Sequence, residues 1–170
     1  MNEPKDGGPA PVQHQTNVER TSDRELVVTR TFDAPPRIVF EAWTKPELFM
    51  RWWAPKSMGV PLRFCEMDVR PGGKYRLEFG REGSDPWAFF GKYIEVIPHA
   101  RLVWTNDESA DGAVTTVTFE EKAGKTLLTF RELYPTKEAL DEACAGMEGG
   151  MPEQFGQLDG LLVILAAGAA

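Results

Sequence analysis

The chain changes rhythm twice, and each change marks a change of structure. Residues 60–133 carry six segments in which apolar and polar side chains alternate, the pattern of half-buried strands. "KYRLEFG" is the clearest: Tyr75, Leu77 and Phe79 fall on one face, Lys74, Arg76 and Glu78 on the other. "VPLRFCEMDVR", "WAFFGKYIEVI", "RLVWTN", "AVTTVTFEE" and "KTLLTFREL" complete the run, joined by "PGG", "PHA", "DESADG" and "KAG". Loops this short predict an antiparallel meander. "RELVVTRTF" (24–32) predicts one further strand ahead of it. Between them, "RIVFEAW" and "TKPELFMRWW" read as two short helices. Asp33 and Thr44 are candidate caps, and Pro35, Pro36 and Pro46 suit a first turn.

From Thr136 the period becomes helical. Leu140, Cys144, Met147, Met151, Phe155, Leu158 and Leu162 recur at threes and fours, predicting a helix over roughly 137–165. Gly146, Gly149, Gly150, Gly156 and Gly160 lower its propensity, and Pro152 removes a backbone donor. A kink or break near Gly150–Pro152 is therefore expected, and packing on the sheet must hold the helix in place.

Alternation assigns Tyr75, Leu77, Phe79, Leu102, Trp104, Val117, Phe119, Leu128 and Phe130 to one sheet face. Phe89 and Phe90 lie on opposite faces of their strand. Such an aromatic surface suits a flat apolar ligand, and it would equally make a dry core if the helix lay close. Trp52 and Trp53 sharpen the question. Neighbours on a helix point about 100° apart, so the two indoles cannot fill one place. One is expected to pack the helical pair, the other to face a chamber or its entrance.

Composition narrows the classes. The 170 residues suffice for one domain with a real core, expected over 23–166 after a polar, Pro- and Gly-rich tail at 1–22. A net charge of -7 and a pI near 4.9 argue against non-specific nucleic-acid binding. The apolar "LLVILAAGAA" is about half a membrane span, no basic-then-apolar leader opens the chain, and the expected location is the cytoplasm. Cys65 and Cys144 lie far apart and read as free thiols.

Chemistry is sparse. His14 falls in the tail and His99 in a turn, and the sequence has neither a nucleophile motif nor a metal-ligand spacing, so no cofactor or metal is expected. Three strand carboxylates, Glu66, Asp68 and Glu95, could serve as a general base if buried. The competing reading pairs Asp68 with Arg70 or places it as a cap on the "RPGG" turn.

The order of strand, two short helices, six strands and a long helix resembles the α+β helix-grip fold of START-like (SRPBCC) proteins. "ELVVTRTFDAPPRIVFEAWTKPELFMRWWAP", "EMDVRPGGKYRLEF", "GKYIEVIPHARLVWT", "VTFEE" and "GMEGGMPEQFGQLDGLL" are similar to the bacterial branch related to the activator of the 90-kDa heat-shock-protein ATPase. The resemblance implies a curved antiparallel sheet wrapped on the last helix, with a cavity between them. It implies a small hydrophobic or aromatic ligand, bordered by Trp52, Trp53, Tyr75, Phe90, Trp104, Phe119, Met151 and Phe155. Relatives often carry an aromatic where Met151 or Pro152 stands, so cavity size does not transfer. Two other implied roles stay open: an interaction protein contacting a chaperone, and a cofactor-free cyclase, dehydratase or hydrolase using a cavity carboxylate. Monomer and homodimer are both open.

Overall fold

The computed structural model describes residues 16–80, 83, 85, 87–107 and 112–169, without the side chains of 58, 145–151 and 168–169. Residues 1–15 of the expected tail (1–22) lie outside the described residues. Among the described residues, eight strands form one antiparallel sheet: β1 (Asn17–Arg20), β2 (Glu25–Phe32), β3 (Leu62–Met67), β4 (Lys74–Phe79), β5 (Trp87–Ile97), β6 (Arg101–Thr105), β7 (Val114–Lys122) and β8 (Lys125–Leu133). Their order is β1-β2-β8-β7-β6-β5-β4-β3. The strands from β3 to β8 are a meander, as the short loops require. Two helices, α1 (Pro36–Thr44) and α2 (Pro46–Phe49), carry the chain from β2 near one edge to β3 at the other. The long α3 (Lys137–Ala169) packs on the concave face.

Turn chemistry fixes the register. Lys122 pairs with Lys125, so Ala123 and Gly124 alone make the β7–β8 turn, at φ 55° and 83°. Two positive φ values in a two-residue hairpin give the twist that adjacent strands need. Gly73 is required by a close approach instead: a Cβ there would lie 1.9 Å from the Asp68 carbonyl oxygen.

Both expected caps are corrected. Pro35 and Lys45 occupy the N-cap positions of α1 and α2, without side-chain cap bonds. Asp33 instead pairs with Lys125 at 3.3 Å, and the Thr44 hydroxyl donates back to the Phe40 carbonyl at 2.8 Å. A proline in the first turn already fixes φ and needs no donor partner, which makes a side-chain cap dispensable. Residues 17–20, assigned from sequence to the tail, form the edge strand β1, paired with β2 from Asn17↔Thr29 to Arg20↔Leu26. Ladder bonds come from the backbone, so a polar strand can form where a partner edge is available.

The helix α3 runs unbroken through Pro152. Its second half fills the concave face: Phe155, Leu158, Leu161 and Leu162 are buried. Phe155 meets Phe32 edge-on at 5.4 Å. Each such side chain contributes about 1.5–3 kcal/mol on burial. On β2, Arg30 points inward and forms an ion pair with Asp159 of α3, while its guanidinium lies 5.5 Å from the Phe32 ring.

Candidate functional site

Beside α2 and the first half of α3, the concave face is not filled. A cavity of about 640 Å³ remains, within the usual range of small-molecule sites. Sheet side chains Met67, Tyr75, Leu77, Phe79, Phe89, Tyr93, Trp104 and Phe130 line one wall. Trp43 and Phe49 of the short helices, with Trp53 and Pro55 after them, form another, and Glu142, Ala143 and Gln154 come from α3. Trp87 stands at the rim, 59% exposed.

The two adjacent indoles separate. Trp52 is fully buried; its Nε1–H donates to the Ala42 carbonyl at 2.9 Å, and its ring meets Trp43 edge-on at 4.8 Å. Trp53 is half-buried, lies on the cavity and stacks on Phe49 at 4.7 Å. The segment carrying them is clamped to α3 by glutamines. Gln157 Nε2 donates to the carbonyls of Trp52 and Ala54, both at 2.9 Å, and Gln154 Nε2 donates to that of Trp53. Gln157 Oε1 accepts from the Lys56 N–H at 2.8 Å. These amides satisfy backbone groups of the irregular segment that follows α2. Glu153 accepts from Ser57 Oγ and N–H, and those bonds hold its carboxyl below the ordinary range.

Of the other residues expected at a site, Tyr75 and Trp104 line the cavity. The Tyr75 hydroxyl donates to the Thr105 carbonyl at 2.7 Å, with Asn106 Oδ1 at 3.1 Å. Phe119 and Phe155 lie in the packed core and are not among the lining residues. Phe90 faces outward, under the Arg76 guanidinium at 5.7 Å. Register explains the correction. Leu77 pairs with Phe89 and Tyr75 with Gly91, so the odd positions of β5 share the inner face and Phe89 takes the cavity place. The Met151 side chain lies outside the described residues.

Glu66, Asp68 and Glu95 are not among the cavity-lining residues. A bulge between Leu62 and Phe64 shifts the phase of β3, turning Cys65 and Met67 inward and leaving Glu66 and Asp68 exposed. Asp68 accepts from Arg70 Nε at 2.9 Å, and Glu95 from Arg101 Nε at 2.7 Å. Burial, with Glu47 adding, pushes the Cys65 thiol up to about 12.

The buried carboxylate on the cavity is a different one. Glu132, 8% exposed, points inward from β8 and accepts from Thr115 Oγ1 at 3.0 Å and the Tyr134 hydroxyl at 2.7 Å. Asn106 Nδ2 in turn donates to Thr115 Oγ1 at 3.0 Å. Burial, and then Glu132, hold the Tyr134 phenol above its ordinary range. The sequence carried a signal for Glu132: it falls two residues after Phe130, in phase with Leu128. Among the described residues, no group of His, Cys, Asp or Glu has the arrangement of a metal site. Nor is any described helix long and apolar enough to cross a membrane.

A curved antiparallel sheet gripping a C-terminal helix defines the chain as a helix-grip domain of the START-like class. It belongs to the family described as activator of Hsp90 ATPase homolog 1-like protein, which matches residues 33–163. A solved structure from Rhodobacter sphaeroides is 27% identical at a TM-score of 0.80, covering 90% of this chain and 99% of its own. One from Staphylococcus epidermidis is 28% identical at 0.70, covering 85% and 92%. A protein of Aeromonas hydrophila described as AHSA1-like is 22% identical at 0.65, covering 79% and 94%, and shares the fold. No curated protein matches the chain in sequence.

Proposed function

We propose that the protein binds a small, flat apolar or aromatic molecule between its sheet and α3. The observation that carries this reading is the cavity of about 640 Å³ walled largely by aromatic rings. An unfilled apolar volume of that size forfeits packing contacts, a cost that a ligand recovers. Half-buried Trp53 and the exposed Trp87 give rings near the entrance that can stack on an entering molecule. The free thiols of Cys65 and Cys144 favour a reducing compartment, the cytoplasm, as the place of action.

The test uses the neutral fluorophore N-phenyl-1-naphthylamine. Its emission is expected to rise on saturable, one-to-one binding to the full chain, and Trp104→Ala is expected to weaken that binding at least about tenfold. Absence of saturable binding by the wild type, or undiminished binding by Trp104→Ala, would refute the assignment.

A further inference from the structure

We propose that the molecule taken by this cavity is a cation, an apolar or aromatic body carrying a protonated amine or quaternary ammonium group. The inference rests on the cavity being a ligand site and names the chemistry it selects. Two independent features of the wall point the same way.

The first is the rings. Trp43, Trp53, Tyr75, Tyr93 and Trp104 all border the space. Each ring presents a negative face, and clustered aromatic faces are the usual recognition device for ammonium groups. Two of the rings are held in place: Tyr75 through its hydroxyl and Trp53 through its stack on Phe49. A preorganised cage gives more of its attraction to the ligand than a mobile one.

The second is charge. Glu132 from β8 and Glu142 from α3 both line the cavity, and none of the described lining residues is Lys, Arg or His. Thr115 and Tyr134 both donate to Glu132, an arrangement that suits an acceptor-only carboxylate. Inside a low-dielectric wall the attraction between carboxylate and ammonium is far stronger than in water. The same wall repels an anion, so the site discriminates by repulsion as well as attraction.

Three naphthalenes of matched size test this by calorimetry on the full chain at pH 7: 1-naphthylmethylamine, 1-naphthylmethanol and 1-naphthoate. The amine is expected to bind about tenfold or more tightly than the alcohol, with the carboxylate weakest. Glu132→Gln is expected to shrink the amine-to-alcohol ratio to about threefold or less. Because that change touches the Thr115 and Tyr134 hydroxyls, Glu142→Gln on the exposed side of the wall supplies a second variant expected to lower the ratio. The wild-type ranking needs no variant at all. If alcohol or naphthoate binds as well as the amine, the cation assignment is overturned and the cavity reading stands. If the ratio survives both substitutions, the carboxylates are not its source and the proposal fails as stated. If none of the three binds, nor the neutral fluorophore, the cavity reading itself falls.

Discussion

Cutting Trp52 and Trp53 to alanine, one at a time, separates packing from cavity at two consecutive positions. Trp52 is fully buried against Trp43, Phe49 and Phe155, with ring centroids at 4.8, 5.3 and 6.4 Å. Truncating a buried Trp costs about 3–5 kcal/mol. The Ala42 carbonyl also loses its donor, adding about 1 kcal/mol. At roughly 3 °C per kcal/mol for a domain of this size, the melting temperature should fall by about 12–18 °C. Trp53→Ala removes a half-buried ring and its stack on Phe49, a loss of about 1–2 kcal/mol and roughly 3–6 °C. Urea unfolding followed by far-UV circular dichroism measures both, since fluorescence itself changes when an indole is removed. Binding of the neutral fluorophore then reads the other property: Trp53→Ala should weaken it, while Trp52→Phe, which keeps most of the packing, should not. Equal stability losses at the two positions would refute the division. So would a binding defect confined to Trp52→Phe.

The remaining predictions probe the parts that frame the cavity. Gly91→Ala places a Cβ 2.0 Å from the Thr105 carbonyl oxygen and 3.0 Å from the Tyr75 ring, so the β5–β6 pairing must open there. A loss of at least about 3 kcal/mol in urea unfolding is expected. A chain starting at 21 should be less stable than one starting at 16 by about 1–2 kcal/mol, since it loses β1 and the 2.8 Å bond from Arg30 to Thr16. Equal melting temperatures would show that β1 contributes nothing. The Cys65 thiol, pushed up to about 12, is a thiol at pH 8, and its folded-state thiolate forms only as pH approaches that value. In a Cys144→Ser background its alkylation by iodoacetamide should be roughly thirtyfold slower folded than in urea, allowing for the greater nucleophilicity of a high-pKa thiolate. Equal rates would contradict the burial argument.

Much of this arrangement is legible in the sequence because alternation reports directly on a one-sided sheet. The segment "KTLLTFREL" gives β8 at its observed bounds, and "KYRLEFG" gives β4 with its inward face. What escapes is information carried by pairing rather than by pattern. A bulge leaves no mark in composition, so the phase of Glu66 and Asp68 could not be read past Leu62. Phe89 and Phe90 are equivalent by pattern, and only the pairing of Gly91 with Tyr75 decides between them. The strand β1 carries one apolar residue, Val18, and is defined by its ladder to β2. Glu132 is the opposite case. Its phase was present in the strand, but a charged residue in an apolar stripe reads as the end of the stripe rather than as part of it.

That charged position becomes intelligible once the inner face is followed along its strands. On β8 the inward side chains run Leu128, Phe130, Glu132; on β7 they run Phe119, Val117, Thr115; past Trp104 the β6 strand leads to Asn106. Each ladder turns polar at the same end, and Glu132, Thr115 and Asn106 are joined there by hydrogen bonds. The helix α3 divides in step. Its second half carries Phe155, Leu158, Leu161 and Leu162 onto the apolar end, whereas Glu142 and Ala143 of its first half, with Gln154 near its middle, line the cavity. The same helix carries "AGMEGG", whose three glycines lower its propensity. A fold selected only for stability would continue the apolar stripe and close the volume with larger residues. A buried carboxylate on the inner face weakens the core, and glycines within the helix weaken the helix. Local departures from the rules that stabilise a fold are found where a site is being kept open. Glu132 is such a departure, and it stands on the cavity wall.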